Sequence, residues 1–297
     1  MSDNTKKVDV IEKKYKKKSQ MGEIWHRLKK NKTAILGLIV FLLLILMALL
    51  APVLYDYDTQ VIKQNIPTRL MPPNAAHPFG TDEMGRDIMA RVVYGSRMSL
   101  FIGFAAVSVS LLVGGFLGAI SGYYGGTLDN VIMRFMDILL AIPGTLLAIT
   151  IVAALGPSIF NLIIALSVSY IPNFARVVRG PVLTVRDVEF VEAAKAIGAK
   201  TRTIIFSHVL PNSMAPVIVQ TTLNVASVIL TIAGLSFLGL GIQPPMPEWG
   251  AMLSSGRTYI RDQSYMTLFP GLAIMLTILS LNLLGDGLRD ALDPRLK

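Results

Sequence analysis

Long apolar runs separated by short polar segments set the pattern of this chain. Residues 34–54 are 21 consecutive positions without a charged side chain. At 1.5 Å per residue, a helix of that length crosses a hydrocarbon core of about 30 Å. Five further stretches, 99–120, 131–155, 159–177, 215–242 and 266–288, are apolar enough to do the same. The predicted fold is therefore all-α, a polytopic membrane bundle of six transmembrane helices. An even number of spans returns the two ends of the chain to one side.

Polar and small residues inside these spans ask for their own reasons. Gly114, Gly118 and Gly122 recur every four residues on one face of the second span, a small-xxx-small pattern that lets another helix approach closely. Gln220, Asn224, Ser227 and Thr231 fall on one face of the fifth span. Such a stripe either bonds neighbouring helices or lines a hydrated path, and the spacing leaves both open. Arg134 and Asp137, three apart in the third span, are placed to form an intramembrane ion pair. Pro143-Gly144, Pro172 and Pro270 interrupt helices where protein or a wet cavity must satisfy the freed backbone groups.

Charge supplies the orientation. Residues 1–32 carry eleven Lys and Arg against four Asp and Glu, which is seven of the net +9. Basic residues beside a first span mark its cytoplasmic end. The segment 180–212, with Arg186, Lys195, Lys200 and Arg202, falls on the same side, as do Arg289, Arg295 and Lys297. The expected organisation is a basic cytoplasmic N-terminal tail over 1–33 and a transmembrane domain over 34–297, with both termini cytoplasmic. A cleaved signal peptide would have a shorter apolar core, about 7–15 residues. The basic pI of about 9.7 is thus a property of one tail, in reach of anionic lipid, and not a footprint for nucleic acid.

Composition removes several chemistries. Cys is absent, which excludes disulfides and thiolate-held metal. His26, His77 and His208 lie on two sides of the expected membrane, so no metal site is expected. No G-x-x-x-x-G-K-[ST] loop and no G-x-S-x-G elbow occur. The chain is not expected to be an enzyme. No acidic residue lies in spans four to six before Asp286, which disfavours an ion-coupled carrier, since such carriers place carboxylates mid-membrane.

The segment 180–212 reads as two short helices joined at a glycine. Glu192-Ala193-Ala194-Lys195-Ala196 favours a helix and Gly198 a stop. Thr201 to Val209 would form the second, ended by Leu210-Pro211-Asn212. Such a knob could dock in a groove of a soluble partner or serve as a plain interfacial connector.

Glu192-Ala193-Ala194, Gly198 four residues on, and Leu210-Pro211 twelve beyond that resemble the coupling loop of ATP-binding-cassette importer permeases. His208 departs from that pattern, which has Ile there. His77-Pro78-Phe79-Gly80-Thr81-Asp82, Glu248-Trp249-Gly250 and Gly285-Asp286-Gly287 resemble further signatures of the peptide and nickel C-type permeases. The resemblance implies a transport subunit that forms a heterodimer with a B-type permease. It implies two ATPase subunits, which hold ATP and Mg²⁺, and an extracytoplasmic solute-binding protein. Glu192, Ala193, Ala194, Gly198, Leu210 and Pro211 would then belong to the ATPase-coupling loop, with no cofactor bound by this chain. Peptides are the expected cargo, with nickel or another small solute as the alternative. An ion-coupled carrier and a membrane scaffold remain the readings from other classes.

Overall fold

The computed structural model describes residues 20–292. The basic tail upstream of Gln20 and the last five residues lie outside them. Ten helices of eight residues or more run along this part of the chain: α1 (Gln20–Lys30), α2 (Lys32–Leu54), α3 (Ile88–Tyr124), α4 (Gly126–Leu140), α5 (Gly144–Leu155), α6 (Ile159–Val185), α7 (Glu189–Ala196), α8 (Leu210–Phe237), α9 (Trp249–Gly256) and α10 (Tyr265–Leu292). No strand occurs among the described residues, only an isolated bridge between Thr81 and Asp87. Five helices are long and apolar enough to span a membrane, or six where α4 and α5, which meet at a bend of 81°, are counted together as one span.

Local chemistry explains most boundaries. Asn31, Asp87 and Ser158 each cap a helix by accepting a bond from the backbone N–H three residues on. Gly125 and Gly156, both with positive φ, follow the ends of α3 and α5. The bend between α4 and α5 falls at Ala141–Pro143, where proline cannot continue the hydrogen-bond ladder. The stretch expected as the third span is therefore divided between two helices, whereas α6 and α10 run on through Pro172 and Pro270, which do not interrupt them.

Several helices run past their apolar windows, α6 among them, which continues to Val185. α3 has 37 residues, about 55 Å at the helical rise, and starts at Ile88 rather than near 99. Its first turns carry Arg91, which is buried yet lies 3.5 Å from Asp82 and donates to the carbonyls of Val61 and Pro245. These partners satisfy a charge that would otherwise end an apolar helix. The second helix expected at 201–209 does not stop at Leu210-Pro211. Thr201–Thr203 leads into a π-turn over Ile204–Val209 that passes directly into α8. Pro211 sits in the first turn of α8, where its missing N–H breaks little. The Leu210 N–H bonds back five residues to Ile205, and the Asn212 and Ser213 side chains donate to the carbonyls of His208 and Val209. The proline is thus accommodated, and no chain reversal follows.

The glycine face of α3 forms a close seam in the bundle. Its partner is α6. A Cβ on Gly114 would stand 2.4 Å from the Ile171 carbonyl oxygen, and one on Gly118 2.3 Å from that of Ala175. At Gly122 it would meet Val182 and the Arg179 carbonyl at 2.8 and 2.9 Å. One turn outward, Ser110 and Ser167 donate across the same seam to the carbonyls of Ser167 and Ala106. Gly118→Val should therefore destabilise the bundle by about 1–3 kcal/mol, the cost of overpacking. Gly115, beside the seam, has only 3.7 Å contacts waiting for a Cβ. Gly115→Ala should be neutral or stabilising by up to about 1 kcal/mol through helix propensity. Thermal melts of the two purified variants in detergent check the contrast.

The helices sort functional segments to opposite ends. One end carries the folded segment 55–87, α9 and the start of α10, where the Tyr265 hydroxyl donates to the Thr81 carbonyl. The other carries α1, α7 and the end of α10. There Leu28, Ala34 and Ala291 pack together, so the first and last described helices meet.

Candidate coupling and pathway sites

α7 is a two-faced helix of eight residues. Val191 and Ala194 are buried in a cluster with Val178 and Val182 of α6, Ala119 of α3, Ile204 and Val209 of the π-turn, and Val217 of α8. The opposite face shows Glu192, Ala193 and Ala196 to solvent, with Phe190 and Ile197 at 43% and 85% exposure. Glu189 and Glu192 lie in the first turn and Lys195 in the last, each favourable to the helix dipole. Among the described residues Glu192 makes no ion pair, so its charge is open to a partner.

Gly198 ends α7 with φ +79°. Its N–H bonds to the Lys195 carbonyl at 3.0 Å, and that of Ala199 to Ala194 at 3.1 Å. This pair of bonds is a Schellman motif, and its left-handed position suits glycine. Nothing lies within 4 Å of a Cβ placed there, so the requirement is conformational and not steric. The Lys195 ammonium stands 6.0 Å over the Tyr123 ring at the end of α3. Glu192, Ala193, Ala194 and Gly198 are thus on one knob, whereas Leu210 and Pro211 open the span that follows it.

The polar stripe of α8 is divided by the fold. The Gln220 Nε2 donates to the Asn224 Oδ1 at 2.9 Å, and the buried Asn224 has no partner for its Nδ2 among the described residues. Ser227 is exposed, and Thr231 is half-buried. Their hydroxyls donate to the carbonyls four residues back, at 3.2 and 2.9 Å. The Tyr170 hydroxyl of α6 reaches Thr231 at 3.5 Å. Two of the four residues therefore face the interior near the middle of the helix, and one opens to the surface.

The proposed Arg134–Asp137 pair does not form. Asp137 accepts instead from Arg176 of α6 at 2.5 Å. Spacing permitted the local pair, but packing of α4 on α6 brings a guanidinium from 39 residues away. Both side chains of the observed pair are about half exposed, so it is worth at most about 1 kcal/mol. A neighbouring connection was missed from sequence. Arg179 makes a bidentate bond to Asp129, both distances 2.6 Å, and Ser121 also donates to Asp129. Arg186 donates to the carbonyl of Gly122 at 2.9 Å. These contacts tie α3, α4 and α6 at the end that carries α7. The basic residues were visible in the sequence, but not their acidic partner across a helix pair.

At the far end, the motif residues build a rigid cap. The Asp82 carboxylate accepts from Arg86 Nε at 2.7 Å and from the N–H groups of Met84 and Arg86. His77 Nδ1 lies 2.8 Å from Asp87, which caps α3. Glu248, buried, caps α9 through the N–H groups of Gly250 and Ala251 and accepts from Ser99. The Trp249 indole donates to the Val92 carbonyl at 2.9 Å. These signature residues hold α9 against α3.

Comparison with known proteins decides what this architecture belongs to. Residues 114–297 match the inner membrane component of binding-protein-dependent transport systems. Residues 19–73 match the N-terminal transmembrane domain of oligopeptide transport permease C. The chain belongs to the binding-protein-dependent permease family. The permease is 51% identical over 286 residues to a dipeptide transport system permease protein of Alkalihalophilus pseudofirmus, covering 96% of this chain and 93% of that one. It is 45% identical to a di/tripeptide permease of Pseudomonas aeruginosa, over 94% and 93% of the two chains. A glutathione permease of Pectobacterium atrosepticum is 45% identical over 93% and 91%. Among solved structures, an inward-facing methionine transporter matches with a TM-score of 0.56 at 19% identity. That match covers 69% of this chain and 98% of the other, and shows the fold. The protein is a multi-pass component of the cytoplasmic membrane.

Proposed function

We propose that this chain is the C-type permease of an ATP-driven importer of di- and oligopeptides. The observation that carries the reading is its 51% identity, nearly end to end, to a dipeptide permease. A second permease completes the pathway, two ATPases hydrolyse ATP, and a solute-binding protein delivers the peptide. The chain itself binds neither ATP nor Mg²⁺. The basic tail before α1 holds that end in the cytoplasm, which sets α7 facing the ATPases and the 55–87 cap facing the binding protein.

Coupling follows from the two faces of α7. Its exposed face, with Glu192, Ala193 and Ile197, docks on an ATPase. Its buried face, through Val191 and Ala194, bears on α3, α6 and α8 at once. Movement of the docked ATPases therefore displaces these three spans together. ATP supplies the differential energy between inward-open and outward-open states. Gln220, Asn224, Ser227 and Thr231 border the pathway.

The cargo is tested by deleting the gene and measuring uptake of labelled dipeptides and tripeptides. Uptake should be lost and return with the wild-type gene. Unchanged peptide uptake alongside lost nickel uptake would replace the peptide reading with the nickel one.

A further inference from the structure

An apolar groove of about 570 Å³ lies between the second half of α3 and the start of α8. Phe116, Ile205, Phe206 and Met214 line it together with Gly115 and Ala119. Gly115 lines the groove and projects no side chain into it. A Cβ there would find only ordinary contacts, at 3.7 Å from Leu111 and Val178. Helix packing therefore does not require glycine at that position, unlike at Gly114 and Gly118.

One end of the groove is polar. Thr201 and Arg202 stand there beside Tyr124. Arg202 is exposed, with no ion pair or side-chain hydrogen bond among the described residues. From Leu111 to Tyr124 α3 advances about 20 Å, which matches the roughly 15 Å half-thickness of a hydrocarbon core plus a headgroup layer. A tyrosine at that depth suits the interface. An apolar trough of one-leaflet length with an unpaired guanidinium at its mouth has the shape and charge of one amphiphile.

We infer that this groove binds a phospholipid with an anionic headgroup, its acyl chain over Gly115 and its phosphate on Arg202. The inference rests on the permease reading only in taking the second half of α3 as membrane-embedded. Ile205 and Phe206 belong to the π-turn that joins α7 to α8. The lipid thus touches the segment between the coupling helix and a pathway helix. A charge-assisted bond to phosphate supplies headgroup preference, and the apolar walls supply affinity.

The test uses the assembled transporter in vesicles of phosphatidylglycerol and phosphatidylcholine, doped with a photoreactive acyl-chain phospholipid. Peptides from 111–124 and 201–217 should be labelled in the wild type. Gly115→Leu should abolish that labelling, because its side chain occupies the groove. Arg202→Gln should lower the preference for phosphatidylglycerol about tenfold, as expected for one charge-assisted bond. Labelling that survives Gly115→Leu overturns the inference. So do labels confined to other segments, or cross-links from the groove to the second permease. If Gly115→Leu does not assemble, Arg202→Gln decides, and an unchanged headgroup preference overturns the proposal. Co-purification of the ATPases, scored separately, reports on the permease reading itself.

Discussion

Glu192→Lys should leave the permease folded in the membrane and abolish ATP-driven uptake. Glu192 is exposed and makes no ion pair among the described residues, so the chain loses at most about 1 kcal/mol of helix-dipole stabilisation. Reversing a charge that a partner pairs costs about 2–5 kcal/mol of docking free energy, a fall of roughly 30-fold or more in affinity for the ATPase. Gly198→Leu should act alike for another reason. It forces a branched residue to φ +79°, at about 1–2 kcal/mol, and turns the end of α7 out of its Schellman motif. Co-purification of the ATPase and labelled-peptide uptake check both variants. If docking and uptake survive both, α7 is not the coupling element.

The second large effect is expected at mid-membrane. Among the described residues the buried Asn224 Nδ2 has no acceptor, and a buried amide left so costs about 1–3 kcal/mol against a satisfied or apolar group. A helix that needed these residues only for packing would do better with leucine. The double variant Gln220→Leu/Asn224→Leu should therefore keep or raise the melting temperature of the purified permease. Its uptake should fall about tenfold or more, the worth of one hydrogen bond to a passing polar solute or its water. A parallel fall in stability and uptake would assign the pair to helix packing instead.

How much could be read from residues alone follows from the range of the interactions. The long apolar runs placed the spans because membrane insertion acts on each segment by itself. Gly198 was legible since a helix stop is local, and the Gly114, Gly118 and Gly122 face announced a close seam without naming α6 as its partner. Tertiary contacts were not legible. Asp137 took Arg176 rather than Arg134 three residues away, and Asp129 found Arg179 fifty residues on. The start of α3 was hidden because Arg91 and Arg97 break the apolar run, and only the fold brings Asp82 and two distant carbonyls to Arg91. Pro211 read as a stop, whereas a π-turn and two side-chain donors carry the helix through it. The polar stripe of α8 shared a face by spacing, yet packing turned Asn224 inward and left Ser227 outside.

The most direct test is reconstitution. Vesicles holding this chain alone, and vesicles holding it with the second permease, the ATPases and the binding protein, are offered a labelled dipeptide with ATP or with an ion gradient. Accumulation is expected only in the complete set and only with ATP. Accumulation by the chain alone under an ion gradient would contradict a role as an ATP-coupled permease subunit.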